Sequence, residues 1–207
     1  MRNFKIKVCG ITSLTVAKEA EKQGAELLGF IFYKKSSRYI STMAAKLIIS
    51  KLLPTTQTVG VFVDELPEKV IKIARSLRLD FIQLSGNEAV QQIGLYQRNG
   101  LKVIKTTHLK DKKDLIRLKN SRADIIQLDN ADKTLYGGTG ITFDWRIRIP
   151  KRIDNLMLSG GINIDNVAEG VKRFKPLIVD VNSGVERKPG VKSKKLIKEF
   201  IQSCNNL

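Results

Sequence analysis

Hydrophobic and polar positions follow two alternating patterns along this chain. Short runs rich in Ile, Val, Leu and Phe, typical of strands buried on both faces, are separated by longer stretches with helical periodicity. The short runs predict eight strands, at 4–9, 27–32, 58–63, 80–84, 102–106, 124–128, 155–158 and 177–181. The stretches between them predict helices at 14–23, 42–53, 67–77, 88–98, 110–119, 164–173 and 191–203, and a turn or two of helix at 143–149.

The regular alternation of strand and helix predicts the fold class. Eight such units within 207 residues, with no Ser- or Pro-rich linker, predict a single α/β domain over 1–207 folded as a compact (β/α)8 TIM barrel. A doubly wound sheet is the alternative, but it usually has fewer strands in a chain this short. Active-site residues of a barrel lie at the strand C-termini and in the following loops. The residues at those places include Cys9, Asp64, Asp129, Ser159 and the segment from Asp180 onward.

Cys9 is the first candidate for chemistry. It ends the first predicted strand and is followed at once by Gly10. A thiol is polarisable and ionisable, so this position suits a catalytic group better than a packing residue. The second cysteine, Cys204, lies at the opposite end of the chain, which excludes a disulfide framework and the usual zinc spacings.

Three further side chains could take part in a reaction. Asp129 ends the sixth strand near a glycine-rich stretch at 136–145, where a carboxylate is placed for general acid–base work under a mobile cover, although a cap or turn role fits too. Arg38 follows the second strand, and its planar guanidinium suits a substrate carboxylate; a solvated loop arginine is the alternative. His108, the single histidine, follows the fifth strand, and we interpret it as incidental.

Two late turns predict a phosphate site. The run SGGIN at 159–163 follows the seventh strand, and DVNSGVE at 180–186 follows the eighth. Glycines allow backbone N–H groups to approach an anion closely, and a short helix N-terminus adds a favourable dipole. Phosphate-binding barrels hold their ligand after strands seven and eight, so both turns are where the site is expected.

The charge of the chain raises a different possibility. Thirty-seven basic and twenty acidic residues give a net charge of +17, which is compatible with a nucleic-acid-binding protein. The basic residues are spread over nearly every helical segment with few aromatic neighbours, so we expect solvated faces that attract anionic substrates, and no nucleic-acid partner. No apolar run reaches membrane-spanning length and no signal peptide begins the chain, so we expect a cytoplasmic protein with no membrane partner.

These motifs, in this order, resemble the phosphoribosylanthranilate isomerase family of tryptophan biosynthesis. The resemblance covers essentially the whole chain. The matching runs are KVCGIT at 7–12, GFIFYKKSSRYI at 29–40, VGVFV at 59–63, QLSGNE at 83–88, LD with GGTGITFDW within 128–145, SGGIN at 159–163 and DVNSGVE at 180–186.

The resemblance implies an Amadori rearrangement. The aminoaldose N-(5′-phosphoribosyl)anthranilate would become the aminoketose 1-(2-carboxyphenylamino)-1-deoxyribulose 5-phosphate. By the family pattern, Asp129 is the general acid that protonates the ribose ring oxygen, and Cys9 is the general base that removes the C2′ proton. Arg38 would hold the anthranilate side, and Asp180 would make a supporting polar contact. The phosphate would be held by backbone N–H groups around Gly160, Gly161, Asn182, Ser183 and Gly184.

The sequence departs from the family pattern at a few positions. Ser85 and Asn87 stand where the family often has histidine and aspartate, and Asn182 stands where serine is common; we expect these changes to be tolerated. The resemblance implies no metal and no organic cofactor, and it leaves monomer and homodimer open. Another phosphosugar barrel is the enzymatic alternative. A histidine-pathway isomerase would use an aspartate on the first strand and a metal-dependent epimerase would need histidine ligands, so Cys9 and the single histidine argue against both.

Overall fold

Eight parallel strands close into a barrel, which confirms the predicted TIM-barrel fold. The computed structural model describes residues 2–108, 121–129 and 153–207. Neighbouring strands pair in chain order, and β8 closes the barrel against β1. The strands are β1 Lys5–Val8, β2 Leu27–Ile31, β3 Gln57–Phe62, β4 Phe81–Leu84, β5 Lys102–His108, β6 Ile125–Asp129, β7 Leu156–Leu158 and β8 Ile178–Val181. Each lies within about two residues of its predicted range at either end.

Helices connect the strands and pack outside the barrel. They are α1 Leu14–Gln23, α2 Thr42–Ile49, α3 Pro67–Leu77, α4 Gln91–Arg98, α5 Val167–Phe174 and α6 Lys194–Asn205. The side chains of Ser13, Ser41 and Ser193 cap α1, α2 and α6 by accepting a backbone N–H three residues further on. None of the described helices is long and apolar enough to cross a membrane. The predicted helices 110–119 and 143–149, and the glycine-rich stretch 136–145, lie outside the described residues.

Helices α2 and α4 are shorter than predicted by four and three residues for local reasons, and α5 begins at Val167, three residues later than predicted. Helix α2 ends at Ile49 instead of residue 53, because the next turn tightens: the N–H of Leu52 donates to the carbonyl of Ile49, only three residues back. Helix α4 begins at Gln91 instead of residue 88, because the Glu88 carboxylate is occupied in the preceding loop, where it accepts the N–H of Gly86. Both boundaries depend on contacts that helical periodicity does not contain.

A small hairpin after β8 was not predicted. A single 3-10 turn at Ser183–Val185 leads into β9 Glu186–Lys188, which pairs antiparallel with β10 Val191–Lys192. The predicted helix 191–203 therefore begins only at Lys194, after the hairpin. Gly190, between the two strands, has φ 82°, and a Cβ there would lie 2.5 Å from the carbonyl oxygen of Ser37. The hairpin is thereby held against the loop that follows β2.

The apolar core has two main parts, and a small third cluster of Cys9, Ile31 and Val61 lies at the functional end. The larger part fills the space between the outer faces of the strands and the helices. The smaller part fills the lower barrel interior with one side chain from each of seven strands: Leu27, Val59, Phe81, Ile104, Ile125, Met157 and Ile178. These seven side chains, which we call the interior plug, seal the barrel below the functional end.

Candidate active site

A cleft opens at the C-terminal ends of the barrel strands. It encloses about 740 Å³, part of which is open to solvent. The predicted site residues that line it are Cys9, Arg38, Asp129, Gly160, Gly161, Asp180, Asn182 and Ser183. Gly184 does not line it, but a Cβ at Gly184 would lie 2.1 Å from the carbonyl oxygen of Ile162, which does. The fold thus brings the predicted residues together around one space.

The two-residue period of a strand explains why they meet. Every second side chain of a barrel strand faces the interior. On β6, Ile125 belongs to the interior plug, Gln127 lies above it, and Asp129 lies at the cleft. Strand β8 repeats this order with Ile178, Asp180 and Asn182. The interior therefore changes from apolar to polar to reactive in two steps along the strand direction.

Cys9 lies directly after β1, almost fully buried in the cleft wall. A Cβ at Gly29 on the neighbouring strand would come within 2.7 Å of the Cys9 Sγ, so glycine is needed there to make room for the thiol. Burial raises the pKa of the Cys9 thiol above its ordinary value. Lys7 and Lys192 oppose that rise by favouring the thiolate, whereas Asp180 adds to it.

A closed ring of polar side chains, all buried except the partly exposed Ser85, lies beneath Cys9. Sequence reasoning missed it, because the one hint, a lysine two residues before Cys9 on a predicted strand, is a residue type that usually faces solvent. Its six members are Lys7, Gln83, Ser85, Thr106, Gln127 and Asp180. Lys7 Nζ donates to Gln83 Oε1 at 2.9 Å and to Asp180 Oδ2 at 2.8 Å, while Gln127 Nε2 donates to the same Oδ2 at 3.0 Å. Because neighbours fix each member, the floor of the cleft is rigid.

Asp180 presents one oxygen to this ring and keeps the other apart. Its Oδ2 accepts from Lys7 and Gln127. Its Oδ1 is buried and has no hydrogen-bond partner within the described part of the chain. Leaving a buried acceptor unpaired costs about 1–3 kcal/mol, so the Oδ1 is a natural acceptor for a ligand hydroxyl or amine.

Asp129 lies across the cleft from β1, at the end of β6. His108 ends β5 directly opposite Asp129 in the strand register, and both side chains line the cleft. Ser85 also lines it and shares a 2.9 Å hydrogen bond with Thr106. Asn87 is exposed, and its N–H donates to Asp64 Oδ1 at 2.6 Å. Of the two departures after the fourth strand, only Ser85 therefore lies on the cleft wall.

Arg38 is held in place by an acid that sequence reasoning did not single out. Glu186 on β9 accepts from Arg38 Nε at 2.9 Å and from Arg38 Nη2 at 2.7 Å, and from Lys192 Nζ at 2.6 Å. Burial alone would raise the pKa of Glu186, but the hydrogen bond from Arg38 and the nearby Lys192 ammonium outweigh it and lower that pKa. Lys192 also donates to Asn182 Oδ1 at 2.6 Å. The hairpin thus orients both a guanidinium and a cleft amide.

The glycine turn after β7 has a backbone conformation that favours glycine. Gly160 and Gly161 have φ values of 78° and 72°, in the left-handed region where a side chain would be strained. The loop is fixed from behind by Asn166, whose Nδ2 donates to the carbonyl of Gly161 at 3.0 Å. Asn166 Oδ1 in turn accepts the N–H of Asn163 at 2.9 Å. The backbone facing the cleft is therefore preorganised.

A metal site would require several ligating side chains close together. Across 2–108, 121–129 and 153–207, no three His, Cys, Asp or Glu side chains are grouped so that they could hold a metal ion. Both cysteines are free and buried.

The fold and the cleft define a class of protein. A closed barrel of eight parallel strands, with a thiol, a carboxylate and two glycine turns at its C-terminal mouth, is a TIM-barrel enzyme. A sequence profile of the N-(5′-phosphoribosyl)anthranilate (PRA) isomerase family matches residues 6–203. The chain belongs to that family, whose members are intramolecular aldose–ketose isomerases of tryptophan biosynthesis.

Individual relatives agree along nearly the full length. The N-(5′-phosphoribosyl)anthranilate isomerase of Thermotoga petrophila is 40% identical over 205 residues, covering 98% of this chain and 99% of the relative. A phosphoribosyl anthranilate isomerase in complex with reduced 1-(o-carboxyphenylamino)-1-deoxyribulose 5-phosphate superposes with a TM-score of 0.88 at 37% identity, over 99% of this chain and 100% of that one. Monomers of the dimeric enzyme from Thermotoga maritima give 0.86 at 38% identity, with the same coverage.

Proposed function

We propose that this chain, as one catalytic domain, isomerises N-(5′-phosphoribosyl)anthranilate with Asp129 as general acid and Cys9 as general base. The observation that carries the proposal is that a thiol after β1 and a carboxylate at the end of β6 line one cleft, in a chain of this family. The related structure with a reduced aminoketose phosphate supports a ligand that has a carboxylate at one end and a phosphate at the other.

The reaction begins with ring opening. Asp129 gives a proton to the ribose ring oxygen, the C1′–O bond breaks with its electron pair going to oxygen, and the nitrogen lone pair forms a C1′=N iminium. The iminium makes the neighbouring C2′–H acidic. A modest base at Cys9 is therefore sufficient, even though burial raises the pKa of this thiol.

Proton removal then completes the rearrangement. The Cys9 thiolate takes the C2′ proton, the C–H electron pair forms a C1′=C2′ double bond, and the iminium π pair returns to nitrogen. The resulting enolamine loses its C2′ hydroxyl proton while C1′ gains one, which leaves a ketone at C2′. Substrate and product have the same atoms, so no external oxidant or reductant is needed.

Substrate binding is assigned to the rest of the cleft. Arg38 would pair with the anthranilate carboxylate, and Glu186 would keep its guanidinium oriented. The unpaired Oδ1 of Asp180 would accept a hydrogen bond from the substrate. The phosphate would lie against backbone N–H groups of the two glycine turns, Gly160, Gly161, Asn182, Ser183 and Gly184.

Asp129→Asn and Arg38→Ala test the acid and the carboxylate contact separately. Because loss of a general acid removes about 10²–10⁴-fold of rate, Asp129→Asn is expected to lower kcat by that factor with little change in KM. Arg38→Ala is expected to raise KM more than it lowers kcat. Steady-state kinetics with both variants, checked for cooperative unfolding, makes the comparison. A near-normal kcat in Asp129→Asn would remove its assigned role.

A further inference from the structure

We propose that Lys7 is a positioning residue that favours the thiolate form of Cys9 from beneath, in the polar ring under the cleft, and so opposes the effect of burial. The inference deepens the proposed function and rests on Cys9 being its base. Lys7 does not reach the cleft surface and takes no proton from the substrate. Its action is on the charge and orientation of the thiol.

The geometry places Lys7 close to Cys9 within the barrel. Lys7 and Cys9 are two residues apart along β1, so their side chains point to the same side of the strand. Lys7 is completely buried. Two of its three N–H groups donate to Gln83 and Asp180, which leaves one N–H for the nearby Cys9 sulfur. The Lys7 Cε and the Cys9 Sγ both lie beside the empty Cβ position of Gly29, at 3.2 and 2.7 Å from it.

Lys7 remains charged in this position. Burial disfavours its ammonium, but the Asp180 carboxylate and Cys9 outweigh burial and raise the pKa of Lys7 above its ordinary value. An ammonium fixed beneath the sulfur stabilises the thiolate relative to the thiol. When Cys9 accepts the substrate proton it becomes neutral, and the Lys7–Asp180 ion pair is unchanged, so no proton has to leave the ring.

The second ammonium near the cleft is engaged elsewhere. Lys192 Nζ donates to Glu186 Oε1, Asn182 Oδ1 and the Asn182 carbonyl, which accounts for its three N–H groups. The charged groups that face Cys9 are therefore Lys7 from β1, Asp180 from β8 and Lys192 from the hairpin, while Arg38, His108 and Asp129 lie elsewhere on the cleft wall. Among these, Lys7 is the cation whose hydrogen bonds within the described residues leave one N–H available near the sulfur.

Lys7→Gln in a Cys204→Ala background tests the inference without relying on turnover. The chain has two cysteines, so the Cys204→Ala substitution leaves Cys9 as the single thiol. Cys204 is buried, and its pKa is raised to about 12. The rate of alkylation by iodoacetamide, followed against pH, gives the ionisation midpoint of Cys9. Lys7→Gln is expected to move that midpoint up by about 1–3 pH units. Neutral-pH kcat/KM is expected to fall about tenfold or more and to recover as the pH is raised.

Lys105→Gln is the matched control. Lys105 is also a buried strand lysine in an ion pair, with Glu88 at 2.7 Å, but it contacts neither Cys9 nor Asp180. Its loss is expected to destabilise the fold while leaving the Cys9 midpoint unchanged. An unchanged midpoint in a folded Lys7→Gln protein, or an equal shift in Lys105→Gln, would overturn the inference.

Asp180→Asn provides an independent arm if Lys7→Gln does not fold. Asp180 raises the pKa of Cys9, so its neutral replacement is expected to lower the alkylation midpoint while Lys7 stays in place. A midpoint that rises or stays constant would count against the polar ring as the source of thiolate control. Full turnover by Cys9→Ser would refute the proposed role of Cys9 as the base. The alkylation measurement does not depend on catalysis, so it tests the role of Lys7 separately.

Discussion

At the scale of single residues, Gly29 decides whether Cys9 can occupy its place. Gly29 lies in the middle of β2 and does not have a positive φ. Its backbone conformation therefore does not require glycine. An added Cβ would lie 2.7 Å from the Cys9 Sγ and 3.1 Å from the Cys9 Cα. The backbone atom cannot give way as the end of a flexible side chain could.

Gly29→Ala is expected to lower both stability and turnover. Overpacking of this kind typically costs about 1–3 kcal/mol, and displacement of the sulfur should lower kcat more than it changes KM. Gly94→Ala is the control, because Gly94 lies in α4 with its nearest neighbour at 3.4 Å and alanine favours a helix by about 0.5–1 kcal/mol. Chemical denaturation and steady-state kinetics measure both. Equal behaviour of the two variants would contradict the account of Gly29.

Site residues could be predicted from the sequence only where their position relative to a strand indicated a role. Cys9 and Asp129 stood out because they end strands, which in a barrel places them at the functional face. Lys7 did not stand out, since a lysine in a strand usually faces solvent. Its burial depends on Asp180, which is distant in sequence and adjacent only once β8 closes on β1.

At the scale of elements, the hairpin after β8 joins the turn proposed to bind the phosphate to the arginine proposed to bind the carboxylate. Glu186 begins β9 and bridges Arg38 from the β2 loop and Lys192 from β10. Its side chain is only 3% exposed, so its charge is compensated by these two cations and not by water. Removing one partner of such a buried pair typically costs about 3–5 kcal/mol.

Glu186→Gln is expected to reduce stability in a pH-dependent way. The pKa of Glu186 is lowered in the folded chain, so the carboxylate stabilises the fold fully above its unfolded value of about 4.3. That contribution falls away as the pH drops from there through the lower folded value. Unfolding measured from pH 7 to pH 3 should therefore show a wild-type advantage that shrinks with acid. A constant difference across this range would contradict the ion-pair account.

Glu65→Gln is the matched control for that experiment. Glu65 also pairs with a lysine, Lys69, but four residues along the same segment and in solvent. Pairs of this kind contribute roughly 0–0.5 kcal/mol, so the control should unfold almost as the wild type does at neutral pH.

Elements were predictable where their ends are encoded locally. Helices α1 and α3 have the predicted bounds because a serine cap with Gly24, and Pro67 at the first turn, fix them within the segment. The start of α4 and the β9–β10 hairpin were not predictable in this way. Glu88 pairs with Lys105, and Glu186 pairs with Arg38 and Lys192. These contacts form only in the folded chain, so the local sequence does not indicate them.

At the scale of the whole molecule, the apolar side chains that stabilise the barrel interior and the side chains proposed to react lie at different levels along the barrel axis. The interior plug closes one end with apolar side chains, the polar ring lies above it, and the reactive side chains lie at the open end. Eight strands with buried positions on both faces made this fold predictable from the sequence. The net charge of +17 is not explained by any single contact in the cleft. It would attract an anionic substrate toward the molecule.

The most direct measurement is conversion of N-(5′-phosphoribosyl)anthranilate by the purified protein, followed by NMR beside Cys9→Ser. Substrate and product have equal mass, so NMR distinguishes them by the C1′ and C2′ signals. The account predicts rapid formation of the aminoketose by the wild type, and a rate about 10²–10⁴-fold lower for a folded Cys9→Ser. No conversion by the folded wild type, or a Cys9→Ser rate close to it, would contradict the account.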